Sequence, residues 1–146
     1  MNEDTHPPRA VQRLFRFAVG LAASTGVGYG VLRYLWPRED AFAVVNHPWQ
    51  PHLQHLHVLV VPLTVFALGA LWASHVLPAR AAGEARRRSG TAAWWLGALM
   101  IASGVAIQVL ASPLGRAAAG WVHTAASLAW LTAVLLHLRQ PPRTPP

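Results

Sequence analysis

Polar and charged residues gather in five short stretches of the chain and leave four long apolar runs between them. The runs fall near residues 14–36, 55–77, 91–111 and 118–138. Each is long enough to cross a hydrocarbon core, which takes about 20 residues of helix. A chain crossing lipid must satisfy its own backbone hydrogen bonds, so the runs are read as helices. The expected fold is all-α: a transmembrane four-helix bundle built as a single domain over residues 1–146.

Composition strengthens that picture. Apolar residues make up 53% and charged residues 12%, against about 25% charged in an average soluble domain. The net charge of +7 comes from twelve basic residues, all arginine. Nine of them (Arg9, Arg13, Arg16, Arg80, Arg86, Arg87, Arg88, Arg139 and Arg143) flank the spans on one side, and Arg33, Arg38 and Arg116 lie on the other. This positive-inside bias places both termini in the cytoplasm. No basic patch is interleaved with aromatics on a soluble face, so the charge points away from nucleic acid. Membrane lipid is the expected surrounding. Cysteine is absent, which excludes disulfides, thiolate-held iron–sulfur clusters and covalent c-type haem attachment. The polar, acidic-first start and the length of the first apolar run argue for a retained span rather than a cleaved signal. Arginine-only basicity with abundant Ala and Pro suggests a bacterium with a GC-rich genome. The expected location is therefore the bacterial inner membrane, with multiple passes.

Span one carries Gly20, Gly26, Gly28 and Gly30, small residues that allow close helix approach or leave room for a flat cofactor. The connection 37–54 is the longest polar one, and Pro37, Pro48 and Pro51 are expected to interrupt helix there. Trp36 and Trp49 suit the aromatic belt of a membrane interface. His47, His52, His55 and His57 follow closely and could bind a transition metal, although neither carboxylate nor thiol completes such a site. Pro62 predicts a local kink in span two. Ser89 reads as the N-cap of span three.

The histidines within the spans carry the chemistry. His57 and His75 are 18 residues apart, about five whole turns, so an unbroken helix presents both on one face. His123 and His137 are 14 residues apart and lie within about 40° of one face of span four. Spans two and four run in the same direction. His57 and His123 then share the outer level, and His75 and His137 the inner. An ionisable group within a span is costly and is by default a functional candidate. Two neutral imidazoles facing each other make an axial pair for haem iron. Two such pairs give two b-type haems about 20 Å apart by helix rise. Gly69 and Gly104 would make space for the porphyrins. Arg33 and Arg116 outside, and Arg87 or Arg88 inside, are candidates to pair with the propionates. The two histidine separations differ by about 6 Å of rise. Either tilt and the Pro62 kink absorb this, or the outer ligand on span two is His55 or His52.

This pattern resembles the four-helix b-type cytochromes, the cytochrome b561-like proteins and the haem-bearing bundle of respiratory cytochrome b. The residues that carry the likeness are His57, the Arg87–Gly90 segment, Ser103-Gly104, His123 and His137. They cover roughly residues 56–138. The resemblance implies that His57, His75, His123 and His137 ligate two haem b irons. It further implies electron transfer between the quinone pool, or a cytoplasmic-side donor, and a periplasmic partner such as a c-type cytochrome. A bound quinone and other subunits of a redox complex belong to the same expectation. Two other readings stand beside it: a haem-free protein binding or moving a metal ion through its histidines, and a structural assembly subunit.

Overall fold

A computed structural model of the protein describes residues 7–37, 45–81 and 88–139, leaving aside the side chains of residues 88 and 89. Among the described residues every regular element is helical. Helix α1 runs over Arg9–Gly30 and continues into a π-helical turn, Val31–Leu35. Helix α2 spans Gln50–Leu71, passes through a second π turn at Trp72–Val76 and ends with Leu77–Ala81. Helices α3 (Arg88–Val109) and α4 (Pro113–Arg139) follow. All four are long and apolar enough to cross a membrane. Large apolar side chains stay uncovered along them, with Leu59 75%, Phe66 66% and Trp95 69% exposed. Such surfaces suit hydrocarbon rather than water, which supports a multi-pass membrane protein.

The chain divides into two compact units, residues 1–84 and 85–146. Each is an antiparallel helical hairpin. In the first, Phe15, Ala18 and Thr25 of α1 are buried, as are Val60, Thr64 and Ala67 of α2. Thr64 Oγ1 donates to the Ala18 carbonyl across the hairpin at 3.3 Å, the kind of polar contact that holds helices together where apolar burial offers no gradient. In the second, Gly97 and Ser103 of α3 are buried, as are Ala126 and Trp130 of α4.

The helix ends depart from the apolar runs for local reasons. Helix α1 begins at Arg9, not near 14, because Pro8 closes an extended entry and its carbonyl accepts from Gln12 N–H at 3.1 Å. Pro51 does not interrupt helix. It stands in the first turn of α2, where the N–H it lacks has no helical partner to lose. Helix α4 starts at Pro113 instead of 118. Ser112 caps it, its Oγ accepting from Gly115 N–H at 3.3 Å. Ser112→Ala is expected to cost about 1 kcal/mol, read as a lower thermal unfolding temperature in detergent. Ser89 lies within α3, which begins at Arg88, so it does not occupy the N-cap position.

The π turn at Trp72–Val76 alters one expectation directly. A π turn accommodates about one extra residue in the helical path. His75 lies inside it, so the five-turn coincidence with His57 drops by up to about 100° of rotation. The same turn absorbs about one residue of the 18-to-14 mismatch between the two histidine separations.

Candidate functional site

His57, His75, His123 and His137 are each half-buried, whereas His52 and His55 are exposed on α2. Among the described residues, no three His, Cys, Asp or Glu side chains converge as a metal site. Three of the in-span histidines, His57, His123 and His137, are set apart by how their hairpin partners receive them.

His57 packs on Gly26 of α1. A methyl group at Gly26 would stand 2.9 Å from His57 Cε1 and 3.2 Å from Nδ1, so only glycine admits the ring at this approach. The preceding residue, Thr25, meets the ring nitrogen, with Oγ1 and Nδ1 3.1 Å apart. Which group donates follows from counting hydrogens. The single hydroxyl hydrogen of Thr25 goes to the Leu21 carbonyl at 2.8 Å, the usual back-bond of a helical threonine. With the hydroxyl hydrogen assigned to the Leu21 carbonyl, its shortest acceptor, the oxygen accepts from the imidazole, and that assignment puts the His57 proton on Nδ1.

His123 repeats this setting in the second hairpin. Its ring packs on Gly104, where a methyl group would come within 3.2 Å of Cε1. His123 Nδ1 lies 2.9 Å from the Met100 carbonyl, which has no hydrogen to give. The ring therefore donates, and Ser103 Oγ is a second, longer acceptor at 3.5 Å. Ser103 spends its own hydrogen on the Leu99 carbonyl at 2.7 Å. Both imidazoles thus carry their lone pair on Nε2. This is the tautomer a metal-ligating histidine takes when its other nitrogen donates to a neighbouring carbonyl or oxygen.

His137 packs on Gly90, with a methyl there 3.1 Å from Cε1, and Trp130 packs on Gly97, with a methyl there 2.9 Å from Nε1. The second hairpin therefore carries a regular ladder. Gly90, Gly97 and Gly104 recur every seven residues on α3, and His137, Trp130 and His123 meet them in antiparallel order every seven on α4. A seven-residue repeat keeps one seam of each helix facing its partner. Gly104 makes room for the His123 ring. A Cβ at Gly69 would meet nothing within 4 Å, so that position is open.

Of the arginines, Arg33 lies with its guanidinium 5.8 Å from the Tyr34 ring centroid, and its carbonyl accepts from Asn46 Nδ2 at 2.6 Å. Arg116 is exposed in the first turn of α4. Arg87 lies outside the described residues, and so does the side chain of Arg88. Thr25, Gly26, Met100, Gly90 and Trp130 enter the site although single-helix periodicity does not select them. A legible signal exists for the first hairpin and the second alike: hydroxyl–glycine couplets at 25–26, 89–90 and 103–104, whose glycines each meet an in-span histidine.

No protein-family model matches the chain, and no curated protein or solved structure is significantly similar to it.

Proposed function

We propose that this chain is a b-type membrane cytochrome of the bacterial inner membrane, with both termini cytoplasmic. In this reading it holds two haems, on His57 and His123 at the outer level and on His75 and His137 at the inner. It passes electrons between the quinone pool, or a cytoplasmic-side donor, and a periplasmic redox partner. It acts alone or as the membrane subunit of a larger oxidoreductase.

The observation that supports this best is the matched setting of His57 and His123. Each sits against a glycine of its partner helix, and each donates its Nδ1–H to an oxygen there. Neutral imidazoles with lone pairs on Nε2 are the donor set that low-spin haem iron takes. A nonspecific interfacial histidine needs neither the glycine nor the fixed tautomer. Held by His57, His123, His75 and His137, haem would supply a one-electron couple, which suits electron transfer. The protein's part is to hold each ring in one orientation, to keep water away with apolar helix faces and to offer Arg33 and Arg116 near anionic groups.

The test is a reduced-minus-oxidised absorption spectrum of the purified protein, with haem counted by pyridine haemochrome. A b-type α-band with two haems per chain is expected. Colourless protein carrying zinc or copper would replace this reading with metal binding, and colourless metal-free protein with a structural role.

A further inference from the structure

We infer that Thr25 is a positioning residue for His57, and that its hydroxyl sets the reduction potential of one of the two haems. This rests on the proposed haem ligation and goes beyond it, because it assigns a role to a residue that holds no iron. Thr25 is buried, 6% exposed, in the middle of a hydrogen-bonded chain. His57 Nδ1–H donates to Thr25 Oγ1, and Thr25 O–H donates to the Leu21 carbonyl. Bonds in such a chain polarise one another, so the hydroxyl accepts more strongly than an isolated one. An imidazole that gives its Nδ1–H to a good acceptor becomes a more basic ligand through Nε2. A more basic ligand favours ferric over ferrous iron and so lowers the potential.

The two hairpins differ in how removable this acceptor is. For His123 it is mainly the backbone carbonyl of Met100, which no side-chain substitution takes away. For His57 it is the side chain of Thr25. Thr25→Val keeps the branched shape and removes only the oxygen, leaving a half-buried N–H to lose its acceptor. Ser103→Ala removes only the longer of two acceptors from His123.

The experiment is a spectroelectrochemical titration of the detergent-purified chain with haem counted in parallel. Thr25→Val is expected to raise one of the two midpoint potentials and leave the other in place. Thr25→Ser is expected to hold both wild-type values, and Ser103→Ala to shift them less than Thr25→Val does. Loss of one haem from Thr25→Val but not from Thr25→Ser also supports the positioning role. Unchanged potentials in Thr25→Val at two haems per chain overturn the inference and leave the haem reading standing. So does an equal shift, or equal haem loss, in Thr25→Ser, since packing would then be the cause. Wild-type protein without haem overturns the reading itself, and the tuning role with it.

Discussion

Removing the His123 imidazole is expected to lower the haem content from two per chain to one. In the proposed arrangement each iron depends on one histidine from α2 and one from α4. His123 and His137 are 14 residues apart, about 21 Å along the helix, so losing one level leaves the other's ligands in place. His123→Ala also removes the ring that fills the space over Gly104. A His123→Gly variant grown with added imidazole is therefore expected to recover the second haem, because the free ring fits the space the side chain left. His137→Ala and His75→Ala are expected to halve the haem content in the same way. His52→Ala and His55→Ala are expected to keep both haems, since those rings are exposed. Pyridine haemochrome on the purified variants, with circular dichroism to show that helix content is unchanged, checks all of these. Two haems retained in His123→Ala would remove it from the ligand set. Loss of both in each single variant would mean that the two levels are not independent.

The four spans are legible in the sequence because hydropathy accumulates over about 20 residues, so no single position can mislead it. Their ends are decided by one or two residues and are correspondingly obscure. Pro8, Pro51 and the Ser112-Pro113 pair each extend a helix beyond its apolar run. The two π turns are a different case. Neither Val31–Leu35 nor Trp72–Val76 contains a proline or glycine to mark it, and any reading by fixed angular steps assumes that such turns are absent. That is why the angular step from His57 to His75 is not the one an unbroken α-helix gives. The histidines themselves were visible as ionisable groups in apolar surroundings. Their partners were not, because periodicity along one helix says nothing about which residues of the next helix face it. The couplets Thr25-Gly26 and Ser103-Gly104 become legible only when the two helices of a hairpin are written antiparallel and read across.

That cross-reading leads to the largest expected effect on stability, at Gly97. The ladder on α3 and α4 holds Trp130 midway between His123 and His137, seven residues from each. Trp130 is 4% exposed, and its indole lies where a Gly97 methyl would come within 2.9 Å of Nε1 and 3.3 Å of Cδ1. Real Cβ contacts do not reach so close, so Gly97→Ala must push the indole or separate the helices. An indole has two side-chain torsions and a rigid ring, and it cannot bend away as the tip of a leucine would. Overpacking of this kind costs about 1–3 kcal/mol. Gly20→Ala is the control, because a methyl there meets nothing within 4 Å and alanine is the better helix former. Thermal unfolding in detergent is expected to show a lower midpoint for Gly97→Ala and none of that loss for Gly20→Ala. Trp130→Phe removes Nε1, the atom in closest conflict, so the double variant Gly97→Ala/Trp130→Phe is expected to recover part of the loss, a coupling that a mutant cycle measures. Additive effects in that cycle would show that Gly97 and Trp130 do not press on each other. Because the same seam carries His123 and His137, Gly97→Ala is further expected to loosen haem at both levels together. Single histidine variants, which remove one rung and leave the Gly97–Trp130 contact in place, are expected to affect one level only.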